Sequence, residues 1–257
     1  MISELGFLAP EVDESEKQLT TTYCEFFDLS ERLSKLLIRL LRDAELDHAS
    51  LRNVTINALA AKSLELFQSS AILLKKGCIP GAKVLCRAQI ETVYKLCAIQ
   101  LTVDGIDRYV DQEKKIRLQK LKNIQKYKQR HPNSGIAPGI EAEIDTLSRE
   151  SLRKTEPHEW ASLAQMDDFN DLYYQAMSDD THGNIESLNH YFDENSTHLL
   201  NFGPSDEGLA MVAAACNRAL INAIEKYASF HDVIVASELA EYSVENNSLE
   251  RRYCVSK

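Results

Sequence analysis

Apolar residues recur every three or four positions over most of the chain, the period of an amphipathic α-helix and not the alternation of a strand. From about Glu16 to Glu45 the positions Leu19, Tyr23, Phe26, Leu29, Leu33, Leu36, Leu37 and Leu40 keep this spacing, and one helix is expected there. A second stretch, from about Ala49 to Lys76, carries Val54, Ile56, Leu59, Leu64, Phe67 and Leu74 and stops at Lys75-Lys76-Gly77, a basic last turn followed by glycine. Ala82 to Thr102 is apolar on nearly every side, as in a helix covered all round by neighbours. Glu141 to about Lys154, and Phe169 to about Tyr191 with an interruption near Gly183, read as further helices. Pro204-Ser205-Asp206-Glu207 then supplies a cap and two first-turn acids for a long helix from Gly208 to about Tyr242. The fold class expected is all-α, an up-and-down antiparallel bundle of about six or seven helices.

Turn residues and charge divide the chain. Residues 1–15 read as a flexible acidic segment, 16–242 as a single bundle domain and 243–257 as a loose polar tail. The His131–Gly139 loop, with two prolines and two glycines, joins the halves of that domain and is too short to separate two domains. In 257 residues there are only 9 Gly and 6 Pro, with 26% charged residues, which excludes collagen-like and linker-rich classes. No apolar run approaches the roughly twenty residues that span a bilayer. The N-terminus lacks a basic region followed by an apolar one, so a cytoplasmic protein without a membrane partner is expected. Six cysteines are scattered without a Cys-x-x-Cys pair and are expected as buried free thiols. Phosphate-binding and dinucleotide-binding glycine loops are absent, as is His-Glu-x-x-His, so neither a cofactor nor a metal site is expected. His190 and His198, near Asp193 and Glu194, are at most an adventitious ligand set.

Two polar stripes stand out. Arg87 and Glu91 lie at i and i+4 in the helix least able to tolerate charge, and Tyr94 follows at i+7. Tyr174, Ser178 and His182 lie at i, i+4 and i+8, so a phenol, a hydroxyl and an imidazole line one side of a later helix. Apart, each stripe reads as a structural ion pair or a satisfied histidine. Together they would supply a base near neutral pH, a fixed cation for a phosphate and a carboxylate to orient either. Separately, Lys114 to Arg130 holds eight Lys or Arg and no acid in a chain of net charge −10. Lys114, Lys115, Lys122, Lys126 and Arg130 are candidate phosphate contacts, against the alternative of a solvated helix that balances the acidic remainder.

The set formed by Arg87-Ala88-Gln89-Ile90-Glu91, Trp160-Ala161-Ser162-Leu163-Ala164 and the Tyr174–Ser178–His182 spacing resembles the prokaryotic domain-of-unknown-function family 5677, over roughly Leu51 to Leu200. That resemblance implies an all-helical protein with these polar positions gathered in one place, and implies no activity. More distantly the chain resembles the HEPN ribonucleases, helical bundles whose dimers cut RNA without metal through an Arg and a His with four to six residues between them. Arg42 and His48 have that spacing, but Asp43, Glu45 and Asp47 lie between them. The expectation carried forward is a metal-independent RNA-cleaving effector of a bacterial stress or phage-defence system. In it His182 is the acid/base, Arg87 the phosphate stabiliser, Glu91 the orienter, and Tyr94, Tyr174 and Ser178 line the pocket. RNA, a cognate sensor or antitoxin, and a second copy docked through the small residues Ala213–Cys216 of the last long helix are the partners expected. The alternative is a non-catalytic interaction or ligand-binding module in which the same residues form a buried specificity network.

Overall fold

The computed structural model describes residues 7, 10, 12–132, 139–182, 188, 191 and 203–254, with the side chains of 179–182 outside the description. Every element of regular structure among them is helical, so the chain is all-α. The helices are α1 (Val12–Thr22), α2 (Cys24–Asp43), α3 (Leu51–Lys75), α4 (Ile79–Leu101), α5 (Gly105–Arg130), α6 (Ile140–Arg149), α7 (Pro157–Leu163), α8, α9 (Leu209–Phe230) and α10 (Ala236–Cys254). Helix α8 is continuous but not uniform: Asp167–Phe169, a π-helical turn Asn170–Tyr174, then Gln175–His182. No helix among the described residues is long and apolar enough to cross a membrane.

These ten helices correct the expected six or seven, because several runs are broken where no glycine marks the break. Tyr23 leaves helical geometry between α1 and α2 at φ −111° and ψ 26°. The preceding Thr20-Thr21-Thr22 run is β-branched, and the Thr21 hydroxyl donates to the Lys17 carbonyl at 2.8 Å, a bond that bends helices. The long helix expected over 208–242 ends at Phe230. Asp232 takes a left-handed φ of 55°, and the Val233 amide donates to the Ala228 carbonyl at 2.9 Å, closing the C-terminus without glycine. The tail expected beyond 243 is instead the second half of α10, whose Leu239, Tyr242, Asn246 and Leu249 are buried. Asn246 at a core position concealed that period. Its amide donates to the Ala214 carbonyl at 3.1 Å.

Helix α4 is central, as its all-round apolarity requires: it packs on α3, α5, α7, α8 and α9. Its entry turn depends on Gly77, at φ +70°, where a Cβ would lie 2.8 Å from the Ser205 amide nitrogen. Helix α9 crosses α3 and α4 on its small side chains, and Ala213, Ala214, Ala215 and Cys216 are all buried there. The face expected to dock a second copy is thus consumed inside the protomer. Helix α5 behaves differently, burying only Gly105 and Leu121. Beyond its first turns it rests on α6 through a separate small cluster of Leu121, Ile144 and Leu147.

Candidate functional site

All four charged residues of α4, Lys83, Arg87, Glu91 and Lys95, are spaced by four and therefore share one stripe. Helix α8 packs against α4 and brings Tyr174 onto the middle of it. The Tyr174 hydroxyl donates to Glu91 Oε1 at 2.8 Å and accepts from Arg87 Nη2 at 3.0 Å and Nε at 3.3 Å. Arg87 Nε lies 3.4 Å from Glu91 Oε1, and the guanidinium carbon stands 5.1 Å from the centre of the Tyr174 ring. The Arg87 side chain is 16% exposed and that of Glu91 34%, so the cationic end of the cluster is the more covered and the carboxylate meets more solvent.

Electrostatics fix which member can do what. Burial, and then the Glu91 acceptor, raise the Tyr174 phenol above its ordinary range, against an opposing pull from Arg87. It is a proton donor at neutral pH and not a base. One turn further, burial pulls the Lys95 ammonium below its usual range, Lys62 adds to that, and Glu113 and Glu91 oppose it. Lys83 and Lys95 are the residues that sequence reasoning missed. Their signal was the uninterrupted four-residue spacing of charge on an otherwise apolar helix.

The other expected pocket residues are placed differently. Tyr94 is fully buried beneath the cluster, its ring 6.1 Å from Tyr174 and edge-on to Phe169 at 6.4 Å, and its hydroxyl has no hydrogen-bond partner among the described residues. Its ring forms a floor under Tyr174. The Ser178 hydroxyl donates back to the Tyr174 carbonyl at 2.8 Å, so its proton is committed to the helix. His182 is the last residue of α8, on the register of Tyr174 and Ser178, and its side chain lies outside the described residues. His190 and His198 also lie outside them. Among the described residues no group of three or more His, Cys, Asp or Glu is arranged to hold a metal ion. Cys86, Cys97 and Cys216 are buried free thiols as expected, whereas Cys24 and Cys254 are exposed.

The basic helix is partly neutralised by its own neighbour. Lys114 pairs with Glu150 at 2.5 Å, Arg117 holds Glu143 through two bonds of 2.7 and 3.1 Å, and Lys128 meets Glu141 at 3.5 Å. Lys115 donates to the Leu152 carbonyl at 3.3 Å. Lys122, Lys126 and Arg130 have no ion pair among the described residues, and the exposed Tyr127 ring beside them stacks on His131 at 4.5 Å. The candidate nucleic-acid face is therefore confined to the far part of α5. Arg42 and His48 are both exposed at the end of α2 and just beyond it, remote in sequence from α4 and α8.

Comparison with known families gives one result. The profile of DUF5677, a family of unknown function, matches residues 53–199, more than half of the chain, and the chain belongs to this family. No curated protein and no solved structure matches it.

Proposed function

We propose that this DUF5677 protein is a metal-independent RNA-cleaving effector of a bacterial stress or phage-defence system, acting in the cytoplasm under a cognate sensor or antitoxin. The observation that supports this most is the convergence of a guanidinium, a carboxylate and a protonated phenol at one half-open point between α4 and α8. Glu91, the solvent-facing member, accepts the proton of a ribose 2′-hydroxyl. The 2′-oxygen attacks phosphorus, the bond to the 5′-oxygen breaks, and His182 or Tyr174 protonates the leaving oxygen. The products are a 2′,3′-cyclic phosphate and a 5′-hydroxyl. Arg87 offsets the charge that builds on the non-bridging oxygens, a role suited to a guanidinium held in place before substrate arrives. Lys122, Lys126 and Arg130 would draw the strand in.

A second reading, a fixed specificity network without turnover, is favoured by the bonding of Tyr174. Its hydroxyl accepts from Arg87 and donates to Glu91, so the three groups satisfy one another with no ligand present. One experiment separates the two. Purified protein is incubated with total RNA in EDTA beside Glu91→Gln and His182→Ala, with the melting temperature of each recorded. The first reading expects cyclic-phosphate ends from the wild type and a loss of about 10² to 10⁴-fold in each variant at unchanged melting temperature. No cutting by the wild type, with Glu91→Gln melting several degrees lower, assigns the network to structure.

A further inference from the structure

Tyr173, the residue beside Tyr174, makes a related set of contacts on an adjacent face of α8, with an arginine over its ring and a glutamate as acceptor. Its hydroxyl donates to Glu250 Oε1, and the Arg218 guanidinium carbon stands 5.7 Å from its ring centre. Arg218 Nη2 also donates to Glu250 Oε2 at 3.1 Å and to Asn247, which sits one turn before Glu250 on α10. Two arginine–glutamate–tyrosine trios thus grip adjacent residues: one from α4, the other from α9 and α10.

The two tyrosines close the π-helical turn Asn170–Tyr174. Such a turn has poorer geometry than the α-helix around it and persists where surrounding contacts hold it. On the α4 side packing supplies those contacts, since Phe169 and Tyr174 both lie against the buried Tyr94 ring. On the α9 and α10 side a cleft of about 600 Å³ opens to solvent, lined by Gln165, Leu172, Tyr173, Arg218 and Asn222 among others. Beside the Phe169 ring, 4.9 Å from that of Tyr173, the polar restraints on this side of the turn are the hydrogen bond of Tyr173 and the cation over its ring. A displacement of Tyr173 is passed to the next Cα, and the Tyr174 hydroxyl, 2.8 Å from its acceptor, moves with it.

We infer that Arg218 and Glu250 are positioning residues for the Arg87–Glu91–Tyr174 cluster, acting through Tyr173 and the π turn. This rests on that cluster being the working site, and its test does not depend on RNA. Tyr174 is replaced by 3-fluorotyrosine, and its ¹⁹F resonance is followed in Glu250→Gln, in Tyr173→Phe and in Glu245→Gln. The last breaks the α10 pair with Arg32, which contacts α2 and not α8. Glu250→Gln and Tyr173→Phe should both shift the resonance, as Glu91→Gln does directly, while Glu245→Gln leaves it in place at a comparable cost in melting temperature. Where the wild type cuts RNA, the same two variants should lower turnover about tenfold and leave RNA affinity unchanged. An unmoved resonance in Glu250→Gln and Tyr173→Phe overturns the inference, as does an equal shift in Glu245→Gln. A shifted resonance in a protein that cuts no RNA keeps the positioning role and removes the nuclease reading instead.

Discussion

Helices α4 and α5 follow one another, have similar lengths of 23 and 26 residues, and treat charge in opposite ways. On α4 the four charged residues share a single stripe, and its central pair is tied to a third polar group from α8. On α5 the charges lie all round and pair with carboxylates of α6 and of Glu150 just beyond it that are 35 to 53% exposed. A charge in the covered helix needs designated partners, because desolvation costs more than Coulomb attraction alone returns. On the open helix water does the same work and the pairs contribute little. The concentration of charge on α5 is the more visible in the sequence, yet its sparse counterpart on α4 is the one tied to a polar group of a second buried helix.

The largest expected divergence is in packing. Ile90 is fully buried on α4, whereas Ile124 is 39% exposed on α5. Ile90→Ala should lower the unfolding free energy by about 2–5 kcal/mol. Ile124→Ala should change it by no more than about 0.5 kcal/mol. Urea denaturation followed at the single, buried Trp160, which donates to Gln112 Oε1 at 2.6 Å, reads both. Equal losses would mean that α5 belongs to the core and that the contrast between the helices is false.

Sequence periodicity reached α3 and α4 because their signals were local: apolar spacing, and a glycine or proline at the ends. It read 49–76 and 82–102 where the helices are Leu51–Lys75 and Ile79–Leu101. It failed where the chain turns on other residues, at Tyr23 and at Asp232 in a left-handed turn, and where a buried Asn246 stood in for an apolar residue. The site divides the same way. Arg87, Glu91 and Tyr174 were found from i, i+4 spacing on two helices, and the contact between those helices is what the structure adds. Glu250 was out of reach, since the segment carrying it did not look like a helix, and with it the partnership of Arg218 and Tyr173.

A smaller divergence is expected with pH. In the main core the Cys97 thiol is raised from 9.0 to about 12 by burial, and the Tyr173 and Tyr227 phenols from 10.0 to about 12, again chiefly by burial. For each group the folded value exceeds the unfolded one, so its contribution is complete below the unfolded value and disappears as pH rises through the folded one. Stability from these core groups should hold up to about pH 9 and then fall between about pH 9 and 12. Between α5 and α6 the sign is reversed. The Arg117 side chain holds the Glu143 carboxyl below its ordinary 4.5, so its contribution is present above that value and lost on acidification. Alkaline titration of Trp160 fluorescence checks the first half, and a stability that rises above pH 9 contradicts it.

The smallest expected effect tests whether α5 has any use for its charge. Glu143→Gln and Glu150→Gln release Arg117 and Lys114 from their partners while leaving the apolar contact between α5 and α6 intact. Exposed pairs of this kind contribute so little that the denaturation curve of the double variant should overlay that of the wild type. Binding is another matter. Where α5 tracks a phosphate backbone, each freed cation can displace a condensed counterion, and the dependence of log K on log salt for a single-stranded oligonucleotide should steepen by up to about 0.7 per cation. A slope unchanged in the double variant, and unchanged again in Lys126→Ala, would make α5 a solvated helix whose cations face only its own acids.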